Sequence, residues 1–158
     1  MSGSAQDYYP PAGFYFKVQL LDDSASADMG FQEVSGIDVS IEPETYSEGG
    51  LNIYKHHLPT TPRYSDLQLK RGFVLESQPF FEWCKATIQN GFATPVQPKG
   101  LNLQLLAAAE GSAEPRILKQ WSFYNAWPTK WSLSEFNAQD GRVVIESITL
   151  SYSYFQME

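Results

Sequence analysis

Trp121-Ser-Phe-Tyr-Asn-Ala-Trp-Pro-Thr-Lys-Trp131, with Phe136-Asn-Ala-Gln-Asp-Gly141 and Arg142-Val-Val-Ile-Glu-Ser-Ile-Thr-Leu150 after it, decides the fold. It offers aromatic and β-branched residues, which suit a pleated, half-buried surface. It also holds a proline corner at Pro128 and a polar turn at Asp140-Gly141. Past that turn the residues alternate: Val144, Ile148, Leu150, Tyr152 and Tyr154 fall on one face, and Ser147, Thr149, Ser151 and Ser153 on the other. A period of two marks a strand with one buried face. Glu146 interrupts the apolar face, so it belongs at a rim or in a pair. The stretch contains almost nothing that could do chemistry.

Upstream, residues 101–109 and 117–127 read as two further strands joined by the polar turn 110–114, with a short strand at 131–133. Near the start, Phe14, Phe16, Val18 and Leu20 alternate with Tyr15, Lys17, Gln19 and Leu21. Residues 31–41 read as a second strand, with Gly36 as a bulge or point of close approach, and Pro43 interrupts the pairing or marks an edge. Gly49-Gly50 and Pro59-Thr-Thr-Pro62 are turn chemistry, enclosing Leu51, Ile53 and Tyr54 in an extended hairpin or long loop. Loops of that length are usually functional or disordered, and the functional reading is contact with a neighbour. Leu67 and Leu69 alternate with Gln68 and Lys70 in another strand.

One helix is expected at about residues 78–90. Ser77 or Gln78 caps it, and Pro79 sits in the first turn, where a missing N–H costs little. Phe80, Cys84 and Ile88 recur at helical spacing with Phe81 beside them, and Gly91 is a natural terminator. With six to eight strands, no βαβ rhythm and no internal repeat, the chain reads as mainly β: an antiparallel β-barrel or sandwich with one flanking α-helix. A flexible arm, residues 1–12, precedes a single domain over 13–158.

The 158 residues are 42% hydrophobic, enough for a real core. Aromatics make up 15% and charged residues only 18%, below the roughly 25% of an ordinary soluble domain. Interfaces share that bias, as do β-rich monomers. A net charge of −7 argues against nucleic-acid binding, which needs a basic patch, and against an anionic membrane surface. Lipid-facing alternation with aromatic girdles is missing, so a membrane-inserted pore is not expected. Cys84 is the single cysteine, compatible with a reducing compartment. Met1-Ser-Gly-Ser-Ala-Gln-Asp7 has neither a basic nor an apolar region, so the expectation is no signal peptide and folding in the cytoplasm.

The search for catalytic chemistry yields little. His56 and His57 are adjacent, so on a strand they point to opposite faces and do not share a metal. Cys84 lies on the apolar stripe of the helix, where cysteine behaves as a small hydrophobe. Gly49-Gly50 is a turn rather than a phosphate cradle. Trp121, Trp127 and Trp131 with Phe123 and Tyr124 form a core face, an intersubunit surface or a sugar-stacking platform. Trp121, Phe123 and Trp127 share strand parity, so some of this set is a core face. Arg71 shares a side with Leu67, Leu69 and Phe73, so it calls for a carboxylate, either within the fold or in a neighbouring subunit, with an anion site a distant third reading. No catalytic residue, metal site or cofactor is assigned.

An ordered set of segments nonetheless resembles one family. Gly13-Phe-Tyr-Phe-Lys-Val18, Phe31-Gln-Glu-Val-Ser-Gly-Ile37, Ile41-Glu and Tyr46-Ser-Glu-Gly-Gly50 are similar to its opening strands and loop. Leu69-Lys-Arg-Gly72, followed by a helix carrying Trp83, resembles its central strand and helix. Trp121-Ser-Phe-Tyr-Asn-Ala-Trp-Pro128 resembles its Trp-x-Phe-x-Asn-Ala-aromatic-Pro signature, and Val144-Ile-Glu-Ser-Ile-Thr-Leu150 its last strand. The family is the tail tube proteins of contractile phages and phage-like injection systems, whose architecture the type VI secretion tube protein shares. The likeness spans about residues 13–155.

The resemblance implies a structural subunit rather than an enzyme. Hexameric rings stack into a hollow tube within a contractile sheath, and the tube is driven through a target envelope. The implied partners are further copies of the chain, sheath subunits, baseplate or spike proteins and possible lumen cargo. The chain would serve as bulk tube or as the baseplate-proximal tube initiator, assembled in the cytoplasm and then part of a virion tail or phage-like particle. Strand edges would join neighbours around the ring, and the net −7 would make the lumen or the outer wall repulsive. Candidate assembly residues are Tyr46, Gly49, Gly50, Leu51, Ile53, Tyr54, His56, His57, Arg71 and Trp127, with the arm 1–12 and the loop 44–64 as ring-to-ring contacts. The rivals are a monomeric β-sandwich that binds a ligand or carbohydrate and, more weakly, an enzyme with a convergent titratable pocket.

Overall fold

A computed structural model describes residues 13–21, 29–47, 49–50, 54–73, 78–91, 93, 95–107, 114–139, 141 and 143–158. The arm 1–12 and the candidate residues Leu51 and Ile53 lie outside these. The strands in chain order are β1 (Tyr15–Leu20), β2 (Met29–Phe31), β3 (Glu33–Ser35), β4 (Val39–Ser40), β5 (Pro43–Tyr46), β6 (His56–Pro59), β7 (Arg63–Tyr64) and β8 (Leu67–Gly72). The helix α1 (Pro79–Gln89) follows, then β9 (Lys99–Ala107), β10 (Arg116–Leu133), β11 (Ile145–Ser151) and β12 (Tyr154–Met157). The antiparallel β fold with one helix is as expected.

The strand pairing is antiparallel throughout and follows the path β2-β1-β9-β10-β11-β8-β3. Its two ends are consecutive in the chain. Residues Met29–Phe31 pair with β1 and Glu33–Ser35 pair with β8. Between them the amide of Gln32 donates to the Lys70 carbonyl at 2.9 Å. One short segment therefore changes partner at a single residue and closes the sheet on itself, which removes two open edges. The expected second strand, 31–41, is for this reason several short pieces.

The last third departs from expectation in two ways. Residues expected as two strands, 117–127 and 131–133, form the single 18-residue β10. The expected long final strand is two, β11 and β12, separated at Tyr152-Ser153. Both differences have one cause. β10 pairs with β12 up to Tyr124 and with β9 up to Ala126, and with β11 from Trp127 onward. Asn125, between them, has φ of 55°, the only positive value at a non-glycine described residue. Asparagine tolerates that left-handed conformation better than most side chains. The bulge there reverses the alternation: Phe123 and Ala126 are both buried, while Trp127 turns outward and is 38% exposed. The shared parity of Trp121, Phe123 and Trp127 is thereby broken, and Tyr154 lies exposed against Tyr124 instead of on the core face.

The core comprises Val18, Leu20, Met29, Phe31, Leu67, Leu69, Leu101, Leu103, Phe123, Ala126, Ile148 and Leu150 from the strands, with Phe80 and Cys84 from α1. Each large apolar side chain fully buried there contributes about 1.5–3 kcal/mol. Phe80 meets Phe31 edge-to-face, ring centres 5.9 Å apart. The helical stripe ends early, since Ile88 is exposed. The N-cap residue is Gln78, and its side chain makes no capping bond.

That amide is used elsewhere. Arg71 and Glu146 are cross-strand partners on the core faces of β8 and β11, both almost fully buried. The Arg71 Nε donates to Glu146 Oε2 at 3.1 Å and its Nη1 donates to Gln78 Oε1 at 2.9 Å. The Trp131 indole N–H donates to Glu146 Oε1 at 2.7 Å. The guanidinium lies 3.8 Å above the Phe81 ring centre. Of the two partners expected for Arg71, the fold supplies the intrachain one. This corrects the placement of Arg71 among the assembly residues: the side chain is consumed inside the barrel.

Breaking a buried pair leaves an uncompensated charge, so Arg71→Met should cost about 3–5 kcal/mol in urea unfolding. The double change Arg71→Met with Glu146→Leu should cost clearly less than either single change. Equal losses in single and double variants would show that the pair is not coupled.

A second prediction concerns Tyr152, whose buried hydroxyl has no hydrogen-bond partner among the described residues. Burial, then the nearby carboxylates of Asp38 and Asp66 and the Tyr64 hydroxyl, push its pKa from about 10 up to about 12. A raised acid pKa favours the neutral form in the fold, so this contribution is complete below pH 10 and is lost as pH rises towards 12. Tyr152→Phe should be as stable at neutral pH, or more so by up to about 1 kcal/mol. It should lose less stability than the parent across that alkaline window in pH-dependent thermal melts.

Candidate assembly surface

Between β3 and β8 the chain leaves the barrel. Val39–Ser40 pair with Tyr64–Arg63, and Pro43–Tyr46 pair with Pro59–His56, so β4 to β7 form one two-stranded ribbon. Two strands with outward edges tolerate the facing prolines Pro43 and Pro59, which have no N–H to donate. Eight residues on one side give a reach of roughly 25 Å. At the neck Gly36 has φ of 86°, and a Cβ there would sit 1.9 Å from the Asp66 carbonyl oxygen. It is the close-approach point the sequence suggested. Ser65 Oγ donates to Asp38 Oδ1 at 2.5 Å across the neck, and Tyr64 packs edge-to-face on Phe155 at 5.4 Å.

Beyond that root the ribbon has no core. All of β4 and β5 is exposed, and in β6 only His56 is half-buried. Tyr46, Leu58 and Tyr54 are 42%, 48% and 55% exposed. The His56 ring stacks on Tyr46 at 5.0 Å and meets the edge of Tyr54 at 5.2 Å. Thr45 Oγ1 and His57 Nδ1 approach to 3.4 Å on the opposite face, as expected for adjacent strand residues. The structure thus brings Tyr46, Tyr54, His56 and His57 together, with Gly49-Gly50 in the turn beyond Tyr46. Trp127 is exposed on the barrel itself.

Sequence reasoning missed exposed apolar residues. Val39, Ile41 and Leu58 lie on the ribbon, and Phe73, Phe136 and Val143 lie on the barrel. Phe136 carried a signal, being a lone aromatic after Ser134-Glu135 and before Asn137. The sugar-platform reading loses its geometry. Trp121 packs on the core, Trp127 pairs opposite Ser151 on the outer face, and Trp131 pairs opposite the buried Ile148. Trp127 does not share a face with the other two indoles.

A different surface covers β1, β9, β10 and β12 on the side away from the core. Gln104 donates to Gln120, and Gln120 donates to Glu158, at 2.8 and 2.9 Å. Ser122 donates to Asn102 at 2.9 Å and Tyr124 to Gln156 at 3.1 Å. This is a lattice of amides and hydroxyls with one carboxylate, Glu158, and with Lys17 of β1 opposite Gln104.

Chemistry finds little to use. Burial, and secondarily the charge of Glu146, push the Cys84 thiol far above the thiolate range. Among the described residues no three His, Cys, Asp or Glu side chains converge as a metal site, and no helix is long and apolar enough to cross a membrane.

The fold is shared with injection-machine proteins. A chain of an extracellular contractile injection system, the PVC sheath–tube complex in its extended state, superposes with a TM-score of 0.73 at 24% identity, covering 99% of each chain. A chain of the anti-feeding prophage cap gives 0.72 at 23% identity, covering 95% of this chain and 91% of that one. Hcp1 from Flavobacterium johnsoniae gives 0.54 at 19% identity, covering 90% and 94%. Among curated proteins none matches this chain in sequence. The model of the T4-like virus tail tube protein gp19 family matches residues 12–156, nearly the whole chain, and the chain belongs to that tail tube family.

Proposed function

We propose that this chain is a structural subunit of the inner tube of a contractile injection machine, forming hexameric rings that stack into a hollow tube. The observation that carries the reading, given the family, is the ribbon β4–β7. A two-stranded ribbon is marginal in water by itself, and this one exposes aromatic and aliphatic side chains along its length. A subunit that gains its remaining apolar burial from neighbours accounts for it. Further copies of the chain, sheath subunits and baseplate or spike proteins are the partners, with cargo in the lumen. Assembly takes place in the cytoplasm before incorporation into a tail or phage-like particle. The mechanism is mechanical and needs no turnover.

Tyr46, Gly49, Gly50, Leu51, Ile53, Tyr54, His56 and His57 are assigned to ring-to-ring contact together with the arm 1–12, and Trp127 to a barrel-side contact. Around the ring, strand edges continue the sheet from chain to chain. β12 supports this, because it pairs with β10 on one side and with no described strand on the other. The chain serves as bulk tube or as the initiator rings above the spike. On the lattice face Lys17 and the Glu158 carboxylate are of opposite sign, which supports placing most of the net charge of −7 on other surfaces.

Negative-stain electron microscopy over a concentration series tests the proposal. Stacked six-fold tubes support bulk tube, and discrete rings that never lengthen support the initiator role. Monodisperse monomers with saturable ligand binding would move the binding-module reading to first place. Deleting residues 46–62 should abolish stacking, and tubes of normal length from that variant would remove the ribbon from the contact.

A further inference from the structure

Tyr64, at the end of β7, is half-buried, while its neighbours Arg63 and Ser65 are exposed. Its ring meets Phe155 edge-to-face at 5.4 Å and Tyr152 at 5.9 Å. Both of those rest on the fully buried Phe123, with ring centres 5.5 and 4.8 Å away. Phe155 belongs to β12, and Tyr152 to the break before it. Along the chain the ribbon grows out between β3 and β8, yet its aromatic root is held by β12. That strand has four residues and pairs with β10 alone among the described strands. At the neck, Gly36 packs too tightly on Asp66 to admit a Cβ, so the backbone there is a fixed pivot. Beside it the Tyr152 hydroxyl is buried with no hydrogen-bond partner among the described residues. The carboxylates of Asp38 and Asp66 stand near enough to act on that hydroxyl. A buried donor without an acceptor is costly, and a small turn of the neck would supply one.

We propose that Tyr64 couples the direction of the ribbon to the seating of β12 on β10, through two arrangements of the neck. In one, the Tyr64 ring is seated on Tyr152 and Phe155 and the Tyr152 hydroxyl goes without a partner. In the other, the neck turns, the hydroxyl donates to Asp38 or Asp66, and the ring leaves its seat. The gain of a hydrogen bond against the loss of aromatic packing keeps the two close in free energy. Coupling of this kind is reciprocal. A strand laid along the open edge of β12 fixes Phe155, hence Tyr64, hence the aim of the ribbon. An unseated ribbon loosens β12 in return. The role in assembly rests on the tube reading above, in which that edge is a ring contact. It adds an order of events: the ring closes first, and closure sets the ribbons.

Hydrogen exchange of the full chain, dilute and unassembled, tests the coupling. Tyr64 stands at the surface root, so Tyr64→Ala keeps the core. It should speed exchange of the amides that tie β12 to β10, among them Ser153 and Glu158, which donate to Tyr124 and Gln120. The increase should be about fivefold or more, the lower end of a typical coupling. Phe155→Ala should speed exchange in β4–β7 to a similar degree, and combining the two changes should add little to either. Tyr64→Phe keeps the ring and should keep the parent rates at both places. Tyr152→Phe removes the donor that favours the unseated arrangement, so ribbon exchange should slow. Parent exchange rates in the β12 amides of Tyr64→Ala overturn the proposal, and so does faster ribbon exchange in Tyr152→Phe. Exchange in β1 and α1 reports global unfolding; if Phe155→Ala raises it, Tyr64→Ala alone decides. Electron microscopy separates the coupling from the tube reading. Tyr64→Ala should close rings but stack them into shorter tubes, and tubes of parent length overturn the assembly role. If the unaltered chain forms neither rings nor tubes, the tube reading falls while the exchange result stands.

Discussion

Everything in this barrel depends on β10 serving two sets of neighbours, and that depends on one backbone conformation. At Asn125 the chain enters the left-handed region, where a β-branched side chain would clash with its own carbonyl. The strand can then leave β9 and β12 and take up β11 without ending. Ala126, 1% exposed, must be small because the bend turns it into the core. Pro128 sits where the register with β11 shifts again, a place where a missing N–H is tolerated. The Asn-Ala-Trp-Pro run is therefore the chemistry of a corner inside a strand. Replacing it by a regular alternating sequence would favour a flat sheet over a closed one.

The second constraint is register. Side chains alternate along a strand, so a slip of β8 by one residue against β11 would carry Arg71 out of the core and Lys70 into it, leaving Glu146 buried without its partner. A buried ion pair is weak evidence for stability. Here it couples the closing strands to α1 through Gln78 and Phe81, and to β10 through Trp131. Four elements agree on one alignment only when the guanidinium and carboxylate meet. Gln78 gives up its capping role to that network.

Much of this was legible in the residues. Alternation in 14–21, 67–70 and 144–150 located the strands and nearly all of their buried faces. Proline at the start and glycine past the end located the helix. The interruption at Glu146 and the apolar company of Arg71 announced a pairing, though only tertiary structure could show that each was the other's partner, 75 residues apart. The parity of Trp127 with Phe123 and the face assignment of Tyr154 failed because periodicity counts residues evenly, and a bulge does not. Closure by residues 29–35 was hidden because a change of partner leaves no mark on local propensity. In the candidate surface, the exposed aromatic residues of the ribbon could be suspected from their turn-rich setting. The exposure of Phe73 and Val143 on the barrel could not, since a strand-end apolar residue reads the same whether it caps a core or overhangs it.

The amide lattice on the face of β9, β10 and β12 has a consequence for anything that slides along it. Several of its donors and acceptors are engaged with one another: Gln104 to Gln120 to Glu158, Ser122 to Asn102, and Tyr124 to Gln156. Side chains locked in such a network cannot swing out to grip a passing polypeptide without first breaking bonds they already have. Lys17 and Glu158 on this face are of opposite sign, so they offset one another in the field it presents to a distant charge. Strand pairing that engages side chains with their own neighbours disfavours a strong grip on a passing chain.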